Sequence, residues 1–423
     1  MRFFILLFTF LFNLSLFSQV TNNKNIKVKL GIEEFIENHL DLIKGKNIGI
    51  ITNHTGKLPD GRHIVDILNG NKDFKIKALF GPEHGIRGDA PDGKSLSHTT
   101  DEKTGIPVYS LYGTGNNKPT KEMLKDIDVL IYDIQDIGAR FYTFQSTLFL
   151  CMEAAAEEKI KFIVLDRPNP ITGIRVEGAV LDDSLKSFVG LHKIPVVHGL
   201  TIGELAKLVN EEGWLNNGVK ADLIVIKMKG WKRNMWYDDT GLPWVKPSPN
   251  MMNMNTAIVY PGLCFIEGTN VSEGRGTSNP FEIIGAPFID KDQFAKTLNS
   301  YKLKGVEFEP IKFTPTDILR VTVDPKYDSI ECNGIFIHIK DRNKFEPIKT
   351  GLYILYTLKK LYSKDFKWRS PSRSTSKYFI DLLAGTKDVR LLIDEGKKPE
   401  EIMKRWEKDL QKYNKIRKKY LLY

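Results

Sequence analysis

Two short stretches join strand-like apolar residues to a sudden run of carboxylates, arginine and glycines. They are Phe80-Gly81-Pro82-Glu83-His84-Gly85-Ile86-Arg87-Gly88-Asp89 and Ile131-Tyr132-Asp133-Ile134-Gln135-Asp136-Ile137-Gly138-Ala139-Arg140-Phe141-Tyr142-Thr143. A carboxyl such as Glu83, held just past a strand, is of the type and in the place a general acid requires. Asp133 and Asp136 offer the second carboxylate that glycoside cleavage requires as base or nucleophile. Arg140 is a forked donor suited to a substrate carboxylate. Each group also has a structural reading: Glu83 as the ion-pair partner of Arg87, and either aspartate as a cap on the following helix. The residues alone do not choose between Asp133 and Asp136. Arg87-Gly88-Asp89 matches an integrin-type tripeptide, but such matches are frequent by chance and the glycine serves a turn.

Chemistry of this kind needs elements to hold it. Apolar strand patterns fall at Asn47–Thr52, Lys75–Phe80, Ile106–Leu111, Asp128–Asp133, Ile160–Asp166 and Asp222–Met228. Helix-like segments lie between several of them, at Gly61–Leu68, Thr120–Asp126, Thr143–Glu158 and Thr201–Glu212. Such alternation predicts an α/β fold, a Rossmann-like parallel sheet with helices on both faces. Thr52-Asn53-His54, Glu83-His84, Tyr112-Gly113, Asp133 with Asp136, and Asp166-Arg167-Pro168-Asn169-Pro170 each follow a strand. In a parallel sheet all of these converge along one edge, where such folds bind ligands.

The stretch Gly230–Pro287 is rich in Trp, Pro, Gly and Asn and carries Ser248-Pro249-Asn250 and the polar run Glu267–Thr277. A long glycine-rich stretch inside a compact domain reads as a functional loop. From about Asp290 a second, smaller α/β unit follows, with a helix at Asp290–Tyr301, strands at Asp317–Val323 and Gly334–Ile339, and three further helices. The expected division is a signal peptide over 1–18, a Rossmann-like catalytic domain over 19–285 and a smaller C-terminal α/β domain over 286–423.

At 423 residues, with 41% apolar and 27% charged residues, the chain is an ordinary globular protein of two or three domains. Arg2, the apolar run Phe3–Phe17 and then Ser18 have the layout of a secretory leader. The expectation is an exported, periplasmic protein without stable membrane insertion. Cys151, Cys264 and Cys332 are too few and too scattered for a disulfide framework and read as buried thiols. The net charge of +10 comes without an aromatic-interleaved basic stripe, so no nucleic-acid partner is expected. There is no dinucleotide fingerprint after the first strand, no Walker lysine and no nucleophile elbow. His54, His84 and His198 lack close metal-ligand spacing, so neither a metal nor another cofactor is expected.

Taken together these segments resemble the NamZ-type exo-β-N-acetylmuramidase family. The resemblance rests on Thr52-Asn53-His54-Thr55-Gly56, the Glu83 and Asp133 segments, Gly105–Gly113, Asp166–Pro170, Ser248-Pro249-Asn250 and Glu267–Thr277, and spans about Gly31 to Tyr423. It implies a Rossmann-like domain, a smaller C-terminal domain and a pocket near their junction. It also implies release of N-acetylmuramic acid from the non-reducing end of peptidoglycan fragments, disaccharides and muropeptides among them, with Glu83 as a catalytic carboxylate. The lactyl carboxylate of that sugar calls for an arginine, for which Arg87, Arg140 and Arg275 are candidates. Asn53, Asn169, Asn270 and Tyr142 are candidates for hydrogen bonds to its acetamido group and hydroxyls, and His84, Glu267 and Glu273 join them as binding residues. The second catalytic carboxylate stays open among Asp133, Asp136 and the Glu267–Glu273 run. Two other readings remain: a metal-dependent amino-sugar deacetylase, and a non-catalytic periplasmic sugar-binding protein.

Overall fold

The computed structural model describes residues 28–88, 99–113, 117–371 and 376–423. The expected leader Met1–Ser18, Asp89 and Thr114-Gly115 lie outside them. The strands in chain order are β1 (Asn47–Thr52), β2 (Lys75–Gly81), β3 (Thr99–Thr100), β4 (Pro107–Ser110), β5 (Val129–Asp133), β6 (Lys161–Leu165), β7 (Glu177–Val180), β8 (Pro195–Val197), β9 (Leu223–Ile226), β10 (Ile283–Ala286), β11 (Val306–Phe313) and β12 (Cys332–Ile339). The helices are α1 (Gly31–Asn38), α2 (Ile64–Leu68), α3 (Phe144–Glu157), α4 (Ile202–Glu211), α5 (Met254–Leu263), α6 (Lys291–Ser300), α7 (Pro347–Leu361), α8 (Phe379–Ala384), α9 (Asp388–Asp394), α10 (Pro399–Lys404) and α11 (Glu407–Arg417).

The main sheet runs β3-β4-β2-β1-β5-β6-β9, parallel throughout except for the short edge strand β3. Its central strands are buried on both faces, which is why β5 reads as a continuous apolar run rather than an alternating one. Within β5, Val129 and Ile131 enter the core that also holds Ile32 and Phe35 of α1, while Leu130 and Tyr132 enter the core on the other face with α3 and α4. The chain leaves β1 toward β2 and β4, then returns to lay β5 on the other side of β1. The topological switch point is therefore the gap between β1 and β5.

The second sheet is antiparallel, β10-β12-β11, covered by α6, against which α7 packs. Its residues Ile335 and Ile337 belong to the same apolar cluster as α3, α5 and α7, so one core runs through both sheets. Helices α5 and α7 meet at two glycines, because a Cβ on Gly262 would fall 1.9 Å from Pro347 O and one on Gly351 would fall 2.3 Å from Gly262 O. That close approach fixes the end of α5, from which site residues project.

Two expected elements are absent. Thr120–Asp126 is a series of turns, since its lysines and acids leave only Leu124 to bury. Asp317–Val323 is a tight turn bridged between Ile318 and Thr322, and Leu319 and Val323 remain exposed. The strand that pairs β12 in its place is β11, whose outward Glu307 and Glu309 and exposed Lys312 hid its apolar alternation.

Beyond β6, buried Asp166 accepts hydrogen bonds from Gly203 N, Thr201 Oγ1 and the Tyr423 hydroxyl. Burial pushes its carboxyl up to about 7, against those three bonds. A carboxyl raised from 3.8 holds its proton in the folded state over a pH range where the unfolded chain has lost it. Its contribution to stability therefore falls as pH rises from about 4 to about 7. Asp166→Asn is expected to flatten that part of the melting-temperature profile; an unchanged slope would refute this assignment.

Candidate active site

The switch point between β1 and β5 is filled by the protein itself. Asp133, fully buried, takes Arg167 Nε at 2.6 Å on one oxygen and Arg167 Nη2 at 2.9 Å on the other. Burial works against the Arg167 charge, yet the Asp133 carboxylate raises its pKa overall. Asn53 folds its Oδ1 onto the N–H and hydroxyl of Thr55, and Thr55 Oγ1 accepts from Gln135 N. Asp136 accepts from Gly138 N at 2.7 Å and from Gln145 Nε2 at 3.2 Å, with His198 3.7 Å away. Asn169 donates to Leu200 O and accepts from Ile171 N. These residues brace loops; none of them lines the cleft described next.

That cleft, of about 180 Å³, opens beside β2. Glu83 and His84 enter it from the turn after β2, Tyr112 from beyond β4, and Phe141 to Phe144 from the start of α3. His84 is held in the left-handed region (φ 72), followed by Gly85 (φ 71), so the turn that presents Glu83 is strained. Thr143 Oγ1 lies 3.4 Å from Glu83 Oε2. Arg87 does not face the cleft: Asp101 holds it at 2.9 Å through two nitrogens and Asp66 at 3.0 Å, which anchors the turn from behind. Those hydrogen bonds hold the Arg87 charge above its ordinary range, Asp101 foremost.

The opposite wall comes from the end of α5 and the segment after it. Tyr260, Cys264 and Glu267 are spaced i, i+4, i+7 and share one face of a helix that ends in a 3-10 turn. Glu267 Oε1 receives Arg275 Nε at 3.2 Å and Nη2 at 2.9 Å. Burial raises the Glu267 carboxyl; Arg275 opposes this and Glu273 adds to it. For Glu273, burial is outweighed by Lys326 and Arg275, and its pKa is lowered. Tyr142, Tyr260, Phe281 and Phe144 form an aromatic lining, with Tyr142–Phe144 at 4.9 Å, Tyr260–Phe281 at 4.8 Å and the Arg275 guanidinium 5.1 Å over Phe281. Ser248 and Met251, and Phe379 and Leu383 of α8, complete the lining.

Of the three candidate arginines, Arg275 is the one in the cleft. Arg140 is buried and spends its guanidinium on the carbonyls of Ala179, Ile194 and Leu383, tying β7 and the approach to β8 to α8. Burial without an acidic partner brings its pKa down to about 9. Asn270 is bonded to Asp365 O and Lys367 N and is not among the residues lining the cleft. The structure thus gathers Glu83, His84, Tyr142, Glu267 and Arg275, with Glu273 directly behind. Sequence reasoning missed Tyr260, Phe281 and Phe379, although the 260/264/267 spacing was there to be read. Among the described residues no three His, Cys, Asp or Glu side chains group as a metal site.

Two family models cover nearly all of this framework. The N-terminal domain of the exo-beta-N-acetylmuramidase NamZ matches residues 48–255, and its C-terminal domain matches 258–423. This chain belongs to the NamZ family. Both NamZ halves line the cleft, since Glu83 lies in the first match and Glu267, Arg275 and Leu383 in the second. The peptidoglycan beta-N-acetylmuramidase NamZ of Bacillus subtilis (strain 168) is 47% identical over 99% of both chains. Two crystal structures of DUF1343 family proteins from Bacteroides fragilis share the fold. One has a TM-score of 0.84 at 38% identity and the other 0.75 at 36%, each over 94% of this chain and 99% of the other.

Proposed function

We propose that this chain is an exo-acting β-N-acetylmuramidase that releases N-acetylmuramic acid from the non-reducing end of peptidoglycan fragments. The observation that carries this is the meeting of two carboxyl groups, Glu83 and Glu267, with Arg275 in one aromatic-lined cleft. Glycoside cleavage needs one carboxyl to protonate the leaving oxygen and another to serve the anomeric carbon. Asp133 and Asp136 are engaged elsewhere, which leaves Glu267 as the partner of Glu83. Arg275 takes the lactyl carboxylate, and the hydroxyls of Tyr142, Thr143 and Ser248, which line the cleft, serve the acetamido group and ring hydroxyls. The cleft volume of about 180 Å³ is below the ~300–1,000 Å³ common for ligand pockets. It suits one terminal sugar rather than a threaded glycan, in keeping with exo action.

The substrates on this reading are disaccharides and muropeptides from peptidoglycan, reached after export by the Met1–Ser18 leader to the periplasm. Among the described residues no helix is long and apolar enough to cross a membrane. The direct test is incubation with the disaccharide MurNAc-GlcNAc, with and without a chelator. Free N-acetylmuramic acid in both conditions supports the hydrolase. Chelator-sensitive release of acetate would favour a deacetylase, and saturable binding without product a binding protein. A charge-assisted contact is worth ~1.5–3 kcal/mol, so Arg275→Gln is expected to raise KM about 10- to 100-fold. An unchanged KM would remove Arg275 from substrate recognition.

A further inference from the structure

Four charged side chains run inward from the cleft wall in alternating sign. Arg275 sets two nitrogens on Glu267 Oε1, its Nε also lies 3.6 Å from Glu273, and Glu273 lies 2.9 Å from Lys326 Nζ. Glu267 and Arg275 line the cleft, while Glu273 is buried behind them with 5% of its surface exposed. Lys326 is pinned from the back, donating to Ile266 O at 3.0 Å and Val271 O at 2.9 Å. Glu273 therefore keeps a cation of its own whatever enters the cleft. Among the described residues Glu267 takes its hydrogen bonds from Arg275 alone, with Lys326 acting on it only at longer range, and its Oε2 accepts none.

We propose that the lactyl carboxylate of the substrate, on reaching Arg275, makes Glu267 take up a proton, so that the substrate itself converts Glu267 into the acid of the reaction. This rests on the muramidase reading above. Among the described residues, a third carboxylate at this cluster gives three anions around two cations in a partly buried place. Like charges so close do not all stay ionised, and protonating one of them is the cheapest relief. Glu273, between Arg275 and Lys326, is held in its charged form, whereas burial already favours the neutral form of Glu267.

Tyr260, Cys264, Glu83 and the charged groups of α7 and α8 do not supply that relief. Tyr260 and Cys264, on its own helical stretch, are pushed far up by burial and stay neutral. Glu83 and His84 lie across the cleft, and Glu83 adds negative charge rather than removing it. Helix α8 brings Phe379 and Leu383 to the cleft, and its Asp381 is paired with Arg390 at 2.8 Å. On α7, Lys349 and Lys359 pair with Glu400 and Asp394.

The proton balance closes. Solvent gives a proton to Glu267 on binding, and Glu267 passes it to the glycosidic oxygen as the C1–O bond breaks and its electron pair stays on that oxygen. Water then supplies the hydroxyl to C1 and returns a proton to the carboxylates of the site. A sugar without the lactyl group occupies the cleft but leaves Glu267 ionised.

Calorimetric titration with N-acetylmuramic acid at pH 7, in phosphate and in Tris, measures the protons exchanged on binding. The wild type is expected to take up close to one proton, and Glu267→Gln close to none. The methyl ester of N-acetylmuramic acid, which lacks the charge, is expected to bind the wild type without uptake, a comparison that needs no variant to fold. Binding of N-acetylmuramic acid without proton uptake, or uptake that persists in Glu267→Gln or with the ester, overturns the inference. If the wild type cleaves MurNAc-GlcNAc while its proton balance is silent, this inference alone fails. If it neither cleaves the disaccharide nor binds the sugar, the muramidase reading fails with it.

Discussion

Glu83→Gln is expected to lower kcat for N-acetylmuramic acid release by about 10²- to 10⁴-fold, the usual contribution of a positioned acid or base. The amide keeps the shape of the side chain but can neither hold nor give up a proton at working pH. The turn that carries Glu83 is fastened by groups other than its carboxylate. Arg87 is clamped by Asp101 and Asp66, and His54 Nε2 reaches Lys246 O at 2.7 Å beside Gly88, where a Cβ would fall 2.7 Å from the His54 ring. The variant should therefore melt close to the wild type and still bind N-acetylmuramic acid. Initial rates with MurNAc-GlcNAc, set beside thermal melting, make the check. A well-folded variant that turns over at the wild-type rate would remove Glu83 from the chemistry.

The largest expected effect on stability lies at Asp133, one of the carboxylates the sequence offers for the second catalytic role. Asp133→Ala strands the Arg167 guanidinium, 4% exposed, without its partner. Removing one member of a buried pair costs about 3–5 kcal/mol, because the other charge stays out of water. Replacing both, as Asp133→Asn with Arg167→Met, should recover part of that loss. Denaturant unfolding of the single and double variants tests this. A single variant as stable as the wild type, but inactive, would return Asp133 to the reaction and contradict its place as a brace.

Much of this architecture is legible in the sequence. The parallel strands declare themselves because both of their faces are buried, so β1, β5 and β6 appear as apolar runs closed by polar residues. The convergence of those strand ends is legible too, but only at the level of the sheet edge. Which way each side chain turns there is decided by partners far away in the chain. Asp133 turns to Arg167, Arg87 to Asp66 and Asp101, and Arg140 to carbonyls of β7 and α8, as the tertiary fold brings them within reach. Strand β11 escaped because its solvent face is charged, and α5 because Pro261 and Gly262 mask a helix held by its packing on α7. That Glu83 and Glu267, 184 positions apart, line one cleft follows from that packing and from nothing local.

The measurement closest to the central claim compares two disaccharides that differ in order, MurNAc-GlcNAc and GlcNAc-MurNAc. With Arg275 and Glu267 placed to receive a terminal lactyl-bearing sugar, the first is expected to yield free N-acetylmuramic acid and the second to remain intact. Release of N-acetylglucosamine from the second, or binding of the first without any product, would contradict the account.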